Sequence, residues 1–590
     1  MEQQTRTEER TLLDDVMERI MRQTLEALLF EGVISAEEEG PTWTFEGRAA
    51  SGAAIRYTCK AQRKASFGRM KVEKHSIRRE DKPSVDLYLF VEEVIVNRLD
   101  GAYVPQFVNE LFETLAKDHQ SKLHEAERVP TADRHYEALE SYMVDGHPYH
   151  PSYKSRLGFS LADNFNYGPE FNQDITLAWI AIHERLVDVS ISREAAMEEL
   201  YASHLTEEDR QTFKDILTIS GCASEHYVFM PVHPWQMEHR IPTLFVEQLS
   251  NKEIIVLGAS RSSYRAQQSI RTLSHREKQD ASYIKLALSI TNTSTSRILA
   301  HHTTQNAPLI SDWLQHIIRN DSLLTKLRFQ VLRETMGLSF RYQSLSSITY
   351  GSAYGTLGAI FRENAALYLD SHETAWPLNA VTLTQQNGES FIQAAIERHG
   401  IERWSDALIR SVVLPIVHLL FAHGIALESH AQNIILVLEN ELPTRIIVKD
   451  LHDSVRYVPS QLLHPEWAPV LNPEPETHRK FNRYSFLQTE LVSEVRDYTY
   501  DAFFFICMTE LCFTLEKFGL SEQQFWHKCS ETILSYQQEH PQYQERFELF
   551  DLFAEDGLIE EMTKRRIYGD SELYFRTAPN PLRLAAGVMR

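Results

Sequence analysis

The stretch HGIALESHAQNIILVLENELPTRIIVKDLHDS, residues 423–454, holds two apolar runs, IILVL and RIIVK, each of strand length and separated by the polar ENELPT. It reads as a hairpin-like strand pair. Glu428 and Asn433 stand five positions apart just before the first strand, and Asp450 stands at the end of the second. An acidic residue, an Asn five later and an Asp closing the next strand repeat the arrangement by which protein kinases hold Mg²⁺ around ATP phosphates. Mg²⁺ favours hard oxygen ligands, keeps several waters and uses one or two carboxylates plus substrate phosphates, which this trio would supply. The same carboxylates would serve equally as turn caps or solvent-facing groups, and spacing alone does not separate the two readings.

Outward from this stretch, the pattern from Phe391 onward is mostly helical, with ALIRSVVLPIVHLLFAHG and DYTYDAFFFICMTELCFTLEKFG as long buried helices interrupted only by the strand pair. Residues 136–375 are rich in short apolar runs bounded by turn residues, such as HYVFMPVHPW, EIIVLGAS and YIKLALSITNTSTSRIL, and read as a sheet. The first 135 residues open with an amphipathic helix over Leu12–Ile34, continue with extended segments WTFEG, AIRYTCKA and MKVEKHSI, and return to helical spacing from Asp86. The expected organisation is therefore α+β in three units, 1–135, 136–375 and 376–590. No repeat or low-complexity linker separates them, so they should pack closely and share a site at their junction.

A chain of 590 residues exceeds what one core usually organises. Its 43% hydrophobic and 24% charged residues exclude disorder. The net charge of −22 argues against a nucleic-acid surface, so any anionic ligand must meet a local basic pocket. The start, MEQQTRTEERTLLDD, has no basic n-region followed by an apolar h-region, and AFFFICM at Ala502–Met508 is too short to cross a bilayer. A cytoplasmic chain without a membrane span is the expectation. Cys59, Cys222, Cys507, Cys512 and Cys529 form no C-x-x-C pair and read as buried free thiols.

No G-x-G-x-x-G precedes the acidic trio, so phosphates must be gripped otherwise. Upstream, SIRT at Ser269–Thr272 contributes Ser269, Arg271 and Thr272. KLALSITNTSTSR runs from Lys285 to Arg297 through a hydroxyl-rich loop that includes Thr293 and Ser294. Arg offers a planar fork for carboxylate or phosphate and Lys a point charge, so hydroxyls and cations would surround a polyanion. Taken singly, each segment reads as well as a solvated strand and loop. GHPYHPSYKSRLGFS, from Gly146, adds His147, His150, Lys154 and Arg156 on a loop stiffened by two prolines, suited to an anionic substrate and without the further Cys or His that zinc would need. In HPWQ at His233–Gln236, Trp235 reads as core.

Together and in this order, these motifs resemble the NRPS-independent siderophore synthetases, the IucA/IucC-like family of aerobactin synthetase. They cover about His147 to Asp453, slightly over half the chain, while the helical tail is similar to FhuF-type segments. The resemblance implies a cupped hand of thumb, fingers and palm, with ATP between fingers and palm, commonly as a homodimer. It implies that Ser269, Arg271, Thr272, Lys285 and Arg297 bind nucleotide phosphates and the activated carboxylate, with His430 facing the phosphates. Glu428 and Asp450, with Asn433 beside them, would hold Mg²⁺, and His147, His150, Lys154 and Arg156 would lie on the carboxylate side. The implied reaction adenylates citrate or a citryl monoamide and condenses it with an amine. After Asp450 this chain reads LHDS where several members have a Gly-containing turn, which leaves the role of Asp453 open. A kinase-like phosphotransferase and a non-catalytic siderophore-binding protein are the competing readings.

Overall fold

The computed structural model describes residues 2–127, 135–142, 146–293, 295–385, 387–476, 478, 486–569 and 574–587. Its centre is an eight-stranded antiparallel sheet. The spatial order is Val187–Ile191, Glu334–Phe340, Gly358–Arg362, Tyr283–Leu286, Thr272–His275, Ile254–Ala266, Ile175–His183 and Tyr227–Val232. Because successive strand residues point to opposite faces, Leu273, Ile284, Leu286, Met336, Leu338 and Phe361 bury one face against an apolar cluster with Trp179 and Phe213. The other face carries polar side chains. Thr272 lies directly across from Lys285, and Arg362 lies across from both Tyr283 and Glu334. Glu334 reaches that face because the register slips between it and Met336, a bulge that re-aims one side chain without disturbing its neighbours.

The helix His301–Asn320 lies against the strand Glu334–Phe340. A Cβ at Gly337 would sit 1.8 Å from the carbonyl oxygen of Thr304, so only glycine permits this approach. A second, four-stranded sheet has the order Gln330–Val331, Leu442–Val448, Ile434–Glu439, Glu373–Pro377, and only its first pair is parallel. The expected hairpin exists, but as the centre of this sheet, flanked by strands from the middle of the chain. Two further pairs interrupt the helical tail, contrary to the expectation of only one: Ile425–Leu427 with Val455–Tyr457, and Asp556–Glu560 with Phe575–Pro579. Their strands are three to five residues long and too short for alternation to register.

The N-terminal segment is a helix, Glu2–Phe30, followed by the small sheet of Thr42–Arg48, Ala54–Arg63 and shorter strands, then the helix Val104–Glu127. Its apolar residues do not close a core of their own. Val16, Leu28, Phe67, Phe90 and Leu111 belong to one continuous cluster with Val412, Phe503, Trp526 and Leu582. The segment Ile401–His423 is long and apolar enough to cross a membrane, but most of it is buried inside the fold as a core element. Cys59, Cys507, Cys512 and Cys529 are buried and Cys222 is half-buried, all as free thiols.

Candidate active site

The polar face of the large sheet meets the second sheet at Asp450. The backbone there is left-handed (φ +68°), a conformation that Asp tolerates better than most residues. This turn brings Asp450 Oδ1 to 2.9 Å from Lys285 Nζ and 2.8 Å from Arg362 Nη1. The two cations hold its carboxyl well below the usual range against the opposing effect of burial. Lys285 Nζ also lies 3.1 Å from His452 Nε2, and His452 Nδ1 lies 2.6 Å from Glu334. Arg362 donates to Thr272 Oγ1 at 3.2 Å. Ser269 Oγ accepts the Thr272 amide at 3.1 Å, tightening the turn in which Ile270 has φ +70°. The LHDS departure gains a structural meaning here: His452 joins the buried network, and Asp453 Oδ1 accepts from Thr303 at 3.0 Å.

Two guanidiniums stand differently. Arg271 is buried, and its Nη1 donates to the carbonyls of Arg297 and Ile298, both at 2.7 Å. Arg297 is half-buried and makes one long contact, 3.5 Å, to the Asn292 carbonyl. Among the described residues neither has a carboxylate within ion-pair distance, and the Nε of each is buried without a partner. Burial, then mutual repulsion, lowers Arg271 to about 10; burial lowers Arg297 as well and takes Lys285 down to about 8. Arg271 and Arg297 are therefore cations without a direct ion pair among the described residues, although Asp450, Asp453 and Glu428 act on them at longer range.

Arg297, Thr293, His430 and Glu428 line a cleft of about 1560 Å³ that runs to the N-terminal segment, with Asn292, Gln268 and Asn379 beside them. Twelve Lys and Arg against eight Asp and Glu line it, although the whole chain carries −22. Glu428 Oε2 accepts from Ser454 at 2.8 Å, while the Asn433 amide nitrogen donates to the Glu428 carbonyl at 3.1 Å. Of the three oxygen donors expected to hold Mg²⁺, Glu428 lines the cleft, whereas Asn433 and Asp450 do not, and Asp450 Oδ1 is already engaged by Lys285 and Arg362. Asp450 also falls with Glu334 and His452 in a group whose ligand atoms lie within 4.8 Å of one another. That group contains an imidazole, which suits a transition metal better than Mg²⁺.

The His-Pro loop divides. His147 lines the cleft, its Nδ1 accepting the amides of Tyr149 and His150, and burial and the nearby His430 lower it to about 4, so it is neutral. His150 is fully buried beside Ser152 and does not line the cleft. Lys154 and Arg156 reach the wall, but their charges are spent inside. Lys154 pairs with Asp118 at 2.7 Å, and Arg156 with Glu170 at 2.9 Å. Ser294 lies outside the described residues. Trp235 is buried against Phe159, as expected for core. Arg362, Glu334 and His452 were not singled out from the sequence. Arg362 ends an apolar strand, GAIFR, and only the strand pairing shows where it points.

The IucA / IucC family profile matches residues 135–383, and the profile described as a ferric iron reductase FhuF-like transporter matches residues 402–573. The chain is 36% identical over 97% of its length to 2-[(L-alanin-3-ylcarbamoyl)methyl]-3-(2-aminoethylcarbamoyl)-2-hydroxypropanoate synthase of Staphylococcus aureus, covering 93% of that protein. It is 34% identical over 96% of its length to the citryl-spermidine/3,4-dihydroxybenzoyl-citryl-spermidine:spermidine ligase of Bacillus anthracis, covering 93% of it. The crystal structure of the petrobactin biosynthesis protein AsbB from Bacillus anthracis superposes with a TM-score of 0.89 at 33% identity, over 98% of this chain and 97% of that one.

Proposed function

This chain belongs to the IucA/IucC family of siderophore synthetases, and on that premise we propose that it is an ATP-dependent ligase that adenylates a carboxylate of citrate, or of a citryl monoamide, and condenses it with an amine. The observation that carries the ATP-dependent step is the pair Arg271 and Arg297, cations beside Lys285 with no carboxylate within ion-pair distance among the described residues. A carboxylate oxygen would attack the α-phosphorus, the bond from that phosphorus to the bridging oxygen would break, and pyrophosphate would leave. Arg297 and Arg271 would stabilise the charge spreading over the non-bridging oxygens. The amine nitrogen would then attack the acyl carbon, AMP would leave, and the nitrogen would lose a proton. Holding both partners in one cleft makes that second step effectively intramolecular. Glu428, Asn433 and Asp450 are the residues that would hold Mg²⁺, which when bound supplies neutralisation of phosphate charge. The thumb, fingers and palm division at about 135 and 375, and a homodimeric assembly, are part of the same proposal.

The test is product analysis with ATP, citrate and a panel of diamines and hydroxamate-bearing amines. AMP and pyrophosphate are expected, whereas ADP would make the protein a phosphotransferase. Trapping with hydroxylamine identifies the carboxylate: a hydroxamate formed from 2-oxoglutarate alone would remove citrate.

A further inference from the structure

A second polar cluster lies apart from the cleft, where the core helix Ile401–His418 runs into the π-helical turn Leu419–His423. In an α-helix, residues five apart point about 140° away from each other. The wider π-turn brings them toward one face, and such turns recur at functional positions. Here that geometry aims two imidazoles at a single carboxylate oxygen. His418 Nε2 lies 2.9 Å and His423 Nε2 3.0 Å from Asp321 Oδ2. Asp321 is itself fixed, because its other oxygen caps the helix Ser322–Lys326 by accepting the amides of Leu323 and Leu324, both at 2.8 Å. The second nitrogen of His418 lies 2.7 Å from Tyr536 Oη, on the helix Glu522–Glu539. The two imidazoles are almost completely buried, while Asp321 keeps about an eighth of its side-chain surface in solvent, so the cluster has one open side.

We propose that Asp321, His418 and His423 form a binding site for one first-row transition-metal cation of the zinc class, separate from the nucleotide and substrate cleft. The three ligand atoms lie within 4.8 Å of one another. Two imidazole nitrogens and one carboxylate oxygen suit Zn²⁺, Co²⁺ or Fe²⁺ and disfavour Mg²⁺ and Ca²⁺. Tyr536 supplies the outer hydrogen bond that fixes a ligating imidazole's tautomer: with an ion bound, His418 Nδ1–H donates to the phenol oxygen. None of the three residues lines the cleft. The site still bears on it, because His423 and Gly424 lead directly into the strand Ile425–Leu427 that delivers Glu428. A bound ion would pin three segments, the start of Ser322–Lys326, the end of the core helix and the entry to that strand.

The full-length protein, freed of metal with a chelator and returned to buffer with excess Mg²⁺ to satisfy the cleft, is titrated with Co²⁺ and followed by visible absorption. One equivalent should produce the intense d–d bands of four- or five-coordinate cobalt, displaced by Zn²⁺, and Zn²⁺ should raise the melting temperature. Asp321→Asn retains the helix cap, and His423→Gln retains a polar side chain of similar reach. Each should weaken Co²⁺ binding at least tenfold while circular dichroism stays unchanged. A wild-type protein that gives no such bands, or binding that survives unchanged in both variants, would overturn the proposal.

Discussion

Arg297 and Asp450 stand in opposite electrostatic situations within one site. Arg297 makes no ion pair among the described residues, so Arg297→Ala should leave the melting temperature nearly unchanged. Adenylate formation should fall by 10²–10³-fold, about 3–4 kcal/mol for one donor removed from developing charge. ATP–pyrophosphate exchange and a thermal melt on the same preparation measure both; near-wild-type exchange would remove Arg297 from the chemistry. Asp450→Asn differs in kind. Asn accepts the left-handed backbone equally well, so the change is electrostatic and leaves Lys285 and Arg362 without their common anion. A loss of about 3 kcal/mol in denaturant unfolding is expected alongside lost turnover, because breaking a buried pair strands the remaining charge. Lys285 gives a pH signature. With its ammonium lowered to about 8, the free protein sheds that proton as the pH rises through 8, and a bound polyanion draws it back. ATP binding should therefore take up protons near pH 8 and weaken above it. Calorimetry in buffers of different ionisation enthalpy reads this directly, and zero uptake would mean that Lys285 does not meet the phosphates.

At the scale of elements, the site depends on how closely helix and sheet approach. Gly337→Ala would drive a methyl group into the Thr304 carbonyl and lift the helix His301–Asn320 from the strand that carries Glu334. A stability loss of about 1–3 kcal/mol is expected from such overpacking, read by denaturant titration, with a fall in activity because Thr303 and Glu334 both contact the LHDS segment. These contacts also show what a sequence can reveal. Glu428 and Asp450 drew attention because they stand at the borders of apolar strands, and Lys285 and Arg297 because they bracket a hydroxyl-rich loop; their roles remain part of the proposal. Glu334 was not legible, since in ETMGLSF simple alternation would place it with Met336 and Leu338 on the apolar face, and only the bulge turns it round. The ion pairs of Lys154 with Asp118 and of Arg156 with Glu170 leave no trace in the sequence, because folding brings those anions near from elsewhere in the chain.

At the scale of the whole molecule, a cationic cleft in a chain of net charge −22 predicts a specific salt response. Raising ionic strength should lower kcat/KM for ATP and citrate, as screening removes the local attraction. The saturated rate should change little; a fall in kcat with unchanged KM would count against electrostatic capture by the cleft. The other molecular feature is the core shared by the N-terminal segment and the helical tail, from Val16 to Ala585. During translation at about 5–20 residues per second, the first hundred-odd residues leave the ribosome tens of seconds before the helices that cover them exist. Throughout that interval Phe67, Phe90 and Leu111 face water or a chaperone, so the rate at which the last third of the message is read governs how much of the newly made protein escapes aggregation.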